Sequence, residues 1–336
     1  MNIRRSLLKL MMVILGTAGL SALYWIIKIK GRGDELREDE PRGFHKGSPL
    51  VWLPVKALFL PIFGYANWWE PKVPILSRII HRRLELEGEE NVRKALHQAK
   101  RGVIFAVDHR SSADVFMPQI ILYLYGWKRL AEFLFFYLVG LRFINRDLIS
   151  LGVMSRDRIP IVPPTMIPTE RPSTSDPEAR AKFKQQVRIA IEVNREARSW
   201  TSKLLSQNLW MYIAPEGTRS RFVVMTQPPE AAATILNHDG VYMLPVALEG
   251  TEKMWPVDSW PRPLTQVGVL VGKPRHIDVV RRRARYLEAR YEVSFNRAFV
   301  DVIMREIALL HIEKGDPSYA GFYTRPLEEI YDKREE

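Results

Sequence analysis

The chain has 336 residues, 46% of them apolar, which is enough for a sizeable core in one large or two smaller domains. It has no cysteine, so disulfides, thiolate metal sites and a thioester formed on the protein itself are excluded. A net charge of +12 and a pI near 9.8 call for an acidic neighbour. With no zinc-finger spacing, RNA-recognition signature or compact basic recognition helix, nucleic acid falls behind anionic lipid or an acidic carrier.

The first element in chain order is an apolar run without charge from Leu10 to Ile27, roughly what a ~30 Å hydrocarbon layer requires. Arg4, Arg5 and Lys9 precede it, Lys28, Lys30 and Arg32 follow it, and Tyr24 and Trp25 suit an interface. A cleaved signal peptide is the alternative. The run continues through Tyr-Trp-Ile-Ile without a small-x-small cleavage site, so residues 1–32 are expected to be an uncleaved transmembrane anchor. Cations on both flanks leave its orientation undecided. Residues 49–70 form a second apolar stretch, broken by Pro54, Lys56 and Pro61. It suits an interfacial or re-entrant segment with Trp52, Trp68 and Trp69 at headgroup depth, or a helix buried against the globular domain.

From Leu84 the pattern turns to alternating strands and helices. "LELEGEENVRKALHQAK" predicts a strand, a turn at Gly88 and an amphipathic helix; "RGVIFAV" predicts a buried strand. "SSADVFMPQIILYLYG" has helical spacing, with Ser111 or Ser112 as cap. "FLFFYLVGLRFI" is an apolar block divided between core and acyl-chain contact, and residues 148–177 read as a proline-rich insertion, with "RIPIVPPTMIPTERPSTSDP" a proline-studded loop where no helix can persist. The helix that follows carries Phe183, Val187, Ala190, Ile191 and Leu204 at core spacing. Three strands are expected in "NLWMYIAPEG", "GVYMLPVALEG" and "TQVGVLVGKP". Residues 276–336 read as a basic helical region, one long amphipathic helix or a pair. The fold class expected is α/β: a mixed, largely parallel sheet flanked by helices, with N-terminal membrane-anchoring helix or helices.

Two landmarks lie at the carboxyl ends of predicted strands, where parallel α/β folds place their ligands. The first is "VDHRSSADVF", with His109 five residues ahead of Asp114. An ordinary turn would use the same residue types, yet histidine is the natural general base near neutral pH, and a carboxylate on Nδ1–H leaves Nε2 free to take a hydroxyl proton. No G-x-S-x-G elbow supplies a protein nucleophile, so the hydroxyl is the substrate's own. The second landmark is "IAPEGTRSR", where Glu216, Gly217, Thr218, Arg219 and Arg221 follow an apolar strand. Backbone N–H groups, a hydroxyl and a guanidinium fork converging there suit a phosphate. His45, His81, His97, His238, His276 and His311 lack ligand-like spacing and read as structural, and no metal site is expected. Arg281 to Arg283 read as a solvated face.

His-x4-Asp, then Phe-Ile-x-Arg, then Glu-Gly-Thr-Arg, then a Pro-Val strand, in that order over roughly Leu84 to Arg275, resembles the glycerolipid acyltransferase family, of the 1-acylglycerol-3-phosphate acyltransferase type. The resemblance implies an acyltransferase domain at 84–275 on the cytoplasmic side of a membrane. It implies direct acyl transfer from acyl-CoA or an acidic acyl-carrier protein to the free hydroxyl of 1-acylglycerol-3-phosphate, giving phosphatidic acid without a covalent acyl-enzyme or a cofactor. By the same resemblance His109 is the base and Asp114 its orienter. Glu216, Gly217, Thr218 and Arg219 shape the acceptor site, Arg146 adds a phosphate contact, and Pro245 shapes the floor. Two departures stand out. Asp108 occupies a position where the family usually has Asn, and Arg158 in "GVMSRDR" rivals Arg146. The alternatives are another lysophospholipid acceptor, or a non-catalytic membrane-anchored relative that binds anionic lipid.

Overall fold

The computed structural model describes residues 42, 44, 84–111, 114, 135–140, 157–162, 172, 176–217, 224–254 and 265–332. The chain divides into two compact units, one of residues 1–80 and 139–194, the other of 81–138 and 195–336.

In the second unit the strands are β1 (Leu84–Glu87), β2 (Val103–Val107), β3 (Phe135–Gly140, whose last residues cross into the first unit), β5 (Trp210–Ile213), β6 (Tyr242–Glu249), β7 (Val267–Val271) and the short β8 (Arg275–His276). They lie in the order β1-β7-β6-β2-β5-β3, with β8 beside β6. β2 runs parallel to β5 and β6, and β3 parallel to β5. β7 and β8 run antiparallel to β6, and β1 parallel to β7, so the sheet is mixed with a parallel centre. The centre lies where the apolar runs are densest. All five residues of β2 are fully buried, as a strand covered on both faces requires. Each such Val, Ile or Phe contributes about 1.5–3 kcal/mol of burial.

Helices flank the sheet. α1 (Glu89–Gln98) follows β1 through Gly88, whose φ of 89° and whose approach to the Val271 carbonyl, 2.0 Å from where a Cβ would stand, admit only glycine. Asn91 donates to that same carbonyl at 2.8 Å. The basic C-terminal region is a helix pair, α5 (Ile277–Tyr291) and α6 (Phe295–Glu313), separated where the Ser294 hydroxyl caps α6 by accepting from Arg297 N–H. α6 packs on β6 and β2. Its buried Asp301 accepts from Tyr323 and Tyr331 at 2.6 and 2.7 Å, fastening to α6 the 3-10 turn Gly321–Thr324, which follows α7 (Pro317–Ala320), and the last helix, α8 (Leu327–Asp332). Short helices α3 (Ala232–Leu236) and α4 (Thr251–Met254) bracket β6.

α2 (Pro177–Ser206) is a single helix of 30 residues. Its buried line is Ala190, Val193, Ala197, Thr201 and Leu204, so Ile191, expected in the core, is 61% exposed, and Phe183 and Val187 are only partly covered. One residue step rotates 100° around a helix, and Ile191 falls just past the edge of the face that Ala190 begins. In the first unit β4 (Asp157–Ile161) corrects the expectation of an irregular proline-rich stretch. Ile159 and Val162 are buried, and the Asn194 amide both accepts from and donates to the Val162 backbone, at 2.9 and 3.1 Å.

Among the described residues no helix is long and apolar enough to cross a membrane. The Leu10–Ile27 run, residues 49–70 and most of the helix expected after Ser111 lie outside the described residues.

Candidate active site

Parallel β2, β5 and β6 bring their carboxyl ends together, and the register places Ala106 beside Ile213 on one side and Pro245 on the other. His109 follows β2 and Glu216 follows β5, so the two sequence landmarks are neighbours.

Asp114 is fully buried. Its Oδ2 accepts from the Ser111 N–H at 2.6 Å and lies 3.1 Å from His109 Nδ1, while Oδ1 accepts from the Ser111 hydroxyl at 3.3 Å. A carboxylate accepts, so Nδ1 carries the proton and Nε2 presents its lone pair. The His109 side chain is 20% exposed, and Nε2 has no partner among the described residues. A basic nitrogen, an orienting carboxylate and solvent access occur together.

Glu216 sits in a turn closed by Gly217 N–H to the Ala214 carbonyl at 3.0 Å, and Gly217 takes a φ of 68° with open space where a Cβ would point. The Glu216 side chain points inward. Oε2 accepts from the backbone N–H of His109 at 2.7 Å, and Oε1 from the Thr226 N–H and hydroxyl at 2.7 and 3.0 Å. Burial pushes its pKa up to about 8, against hydrogen bonds from Thr226 and His109 that favour the charged form. Glu216 therefore holds the His109 backbone with one oxygen and Thr226 with the other. Thr226 carries no signal of this role in sequence.

Asp108 turns away from His109. Its Oδ1 accepts from Leu248 N–H at 2.8 Å, at the end of β6, and Oδ2 accepts from Arg110 Nε at 2.9 Å. Arg110 has no acceptor atom, so its Nη2, 3.0 Å from His311 Nδ1, donates to it, which leaves the other ring nitrogen, Nε2, 3.4 Å from Asp108 Oδ2. The guanidinium also lies 3.7 Å from Glu252, 3.6 Å from Asp316 and over the Tyr319 ring. Burial works to raise the Asp108 pKa, but the neighbouring His311 ring and Arg110 guanidinium, with the hydrogen bonds, outweigh it and hold the carboxyl below its usual range. The extra carboxylate thus belongs to a buried charge network behind His109. His311, expected to be structural through lack of spacing, is a member of that network across 201 residues of sequence.

Glu249, His311 and Asp316 have donor atoms within 4.8 Å of one another, the arrangement among the described residues that most nearly suits a metal ion. The Arg110 guanidinium already supplies a cation to two of the three. Pro245 is buried mid-strand in β6, its carbonyl accepting from Gly272 N–H at 2.8 Å. Arg158 lies in β4 of the first unit, whereas Arg146, Thr218, Arg219 and Arg221 lie outside the described residues.

Residues 83–249 match the family model described as Acyltransferase. Among curated proteins none matches the chain. Among solved structures, the 1-acyl-sn-glycerophosphate (LPA) acyltransferase PlsC from Thermotoga maritima is similar at 15% identity over 67% of this chain and 83% of that one, with a TM-score of 0.36. The span of the family model contains His109, Asp114, Glu216 and the three parallel strands that carry them, and through it the chain belongs to the acyltransferase family.

Proposed function

We propose that the chain is a glycerolipid O-acyltransferase that moves a fatty acyl group from an acyl thioester, acyl-CoA or acyl-carrier protein, to the free hydroxyl of 1-acylglycerol-3-phosphate. The observation that carries it is the His109–Asp114 pair at 3.1 Å, with Nε2 unpartnered among the described residues at the carboxyl end of β2. Nε2 takes the acceptor's hydroxyl proton as that oxygen attacks the thioester carbonyl. The tetrahedral intermediate collapses, the C–S bond breaks, and the imidazolium returns its proton to the leaving thiolate. The acyl group never rests on the protein, which agrees with the absence of cysteine and of a serine elbow.

The acceptor's phosphate is assigned to Arg219 with Thr218 and Gly217, and to Arg146 in preference to Arg158, on the motif order alone. The lipid substrates, the apolar 1–32 segment and the +12 charge support a membrane-anchored enzyme with 84–275 as its catalytic domain. The experiment is acyl transfer from labelled acyl-CoA and acyl-carrier protein to a panel of lysolipids, resolved by chromatography. Labelled phosphatidic acid made by the wild type and not by His109→Ala supports the proposal. Product from a different lysolipid alone reassigns the acceptor, and no product with any member rejects it.

A further inference from the structure

At the other end of the sheet lies a second cleft that the acyl-transfer machinery does not use. β2 and β6 start side by side, Val103 beside Tyr242, and the amino ends they share are separated from His109 by the length of β2, about 16 Å at ~3.3 Å per residue. There the turn before β2, the last three turns of α2 and the loop from α3 to β6 enclose about 590 Å³. That volume suits a small metabolite.

Its walls are cationic. Arg101, Arg195, Arg198 and Lys203 line it, and one carboxylate, Asp239, stands among them. Asp239 is engaged elsewhere: Arg281 Nη2 reaches it at 2.7 Å, and Arg101 donates to the Asp239 backbone carbonyl rather than to the carboxylate. Arg195 and Arg198 have no carboxylate within ion-pair distance among the described residues. Lys203 rests over the Trp200 ring at 4.5 Å. Cations gathered in one cleft without counter-charge are a receptor for an anion, and guanidinium forks suit phosphate oxygens.

The floor is of a different kind. His238 is 7% exposed, and its Nε2 has no hydrogen-bond partner among the described residues. The Ile235 backbone lies where it favours the ring's proton. Burial first, then the charges of Arg198 and Arg281, push the ring down to about 4, so at neutral pH it stays neutral. A buried ring nitrogen without a partner, beside a cationic wall, suits a hydroxyl next to a phosphate, because a hydroxyl both donates and accepts.

We propose that this cleft binds the phosphate monoester of a polyol, with the phosphate on Arg195 and Arg198 and a neighbouring hydroxyl bonded to His238 Nε2. The same chemistry is found in soluble polyol phosphates and in phosphorylated inositol lipid headgroups, and the test separates them.

The full chain in detergent is titrated by calorimetry with glycerol 2-phosphate, inorganic phosphate and glycerol. In parallel it is floated with neutral vesicles containing or lacking phosphatidylinositol 4-phosphate. Saturable binding of glycerol 2-phosphate, tighter than inorganic phosphate and with none for glycerol, is expected. In Arg195→Gln/Arg198→Gln the affinity should fall about tenfold or more, as losing charged hydrogen bonds implies. His238→Phe should remove the preference over inorganic phosphate. If soluble esters fail but headgroup-dependent flotation is lost in Arg195→Gln/Arg198→Gln, the proposal holds with lipid as the source. Equal binding by that double variant, or a heat matched by sodium chloride at the same ionic strength, overturns it. Because those variants lie outside the active site, an unrelated phosphate contact at Arg219 would persist in them and be recognised.

Discussion

The Glu216 carboxyl group and the His109 backbone N–H meet at 2.7 Å, so the turn after β5 fixes the residue that follows β2 and carries the proposed base. Glu216 is an acid raised by burial to about 8, so ionising it costs folding free energy. The sign follows: its neutral form is favoured in the fold, its contribution is complete below about pH 4.5, and it is lost as pH rises through about 8. Glu216→Gln is near-isosteric with the neutral acid and does not titrate. The Tm of the wild type should therefore fall relative to Glu216→Gln between pH 5 and pH 9. A Tm difference constant over that range would mean that the Thr226 and His109 donors keep the carboxylate ionised throughout.

His109→Ala should lower kcat by roughly 10²–10⁴ without changing the melting temperature, because the ring makes one hydrogen bond among the described residues and is partly exposed. Asp114→Asn should cost nearly as much rate and also some stability, since Asp114 holds the Ser111 N–H and hydroxyl as well as the imidazole. Steady-state kinetics and a melt on each variant check both statements. More than about a tenth of wild-type activity in His109→Ala would remove the base from the mechanism.

Local patterns were legible and distant pairings were not. The apolar runs forecast β2, β5, β6 and β7, and His-x4-Asp forecast the Nδ1 contact, because five residues of loop can close that pair without help from elsewhere. Glu216 was visible as a motif residue, but its orientation depends on Thr226 and on the adjacency of β2 and β5, neither of which has a sequence period. His311 joins Asp108 and Arg110 only because α6 packs across β6 and β2, and spacing within α6 gives no hint of it. β4 was hidden by Pro160, which marks a strand interior as irregular although Ile159 beside it is fully buried.

Arg219→Lys keeps the charge of the proposed phosphate contact and removes its planar fork. The apparent KM for the lysolipid acid should rise and the KM for the acyl thioester should stay, with kcat/KM for the acceptor down about ten- to hundredfold. Two substrate titrations and a melt distinguish this from a structural role. A lower Tm with an unchanged acceptor KM would leave the acceptor's phosphate to another residue.

The buried network of Asp108, Arg110 and His311 makes the last prediction the most demanding. Asp108→Asn restores the residue usual in the resembling family, and on sequence grounds it should be harmless. In this chain it removes the counter-charge of a guanidinium that is 3% exposed, and breaking one member of a buried pair typically costs about 3–5 kcal/mol. Leu248 N–H retains an acceptor in the Asn oxygen, so the loss falls on Arg110, which Glu252 and Asp316 reach only at 3.7 and 3.6 Å. Arg110→Met should be comparably damaging because it strands Asp108. The double variant removes both charges and keeps the volume, so it should recover a large part of the loss. Urea unfolding of the four proteins closes the cycle. The Asp108 carboxyl is held below its usual range, so its contribution is present above about pH 4 and is lost as the pH falls through the lowered value. The coupling measured at pH 7 should accordingly shrink in acid below that window. Additive single and double losses at pH 7 would show that Asp108 and Arg110 are adjacent without being energetically joined, and the family's Asn would then be interchangeable with Asp108 after all.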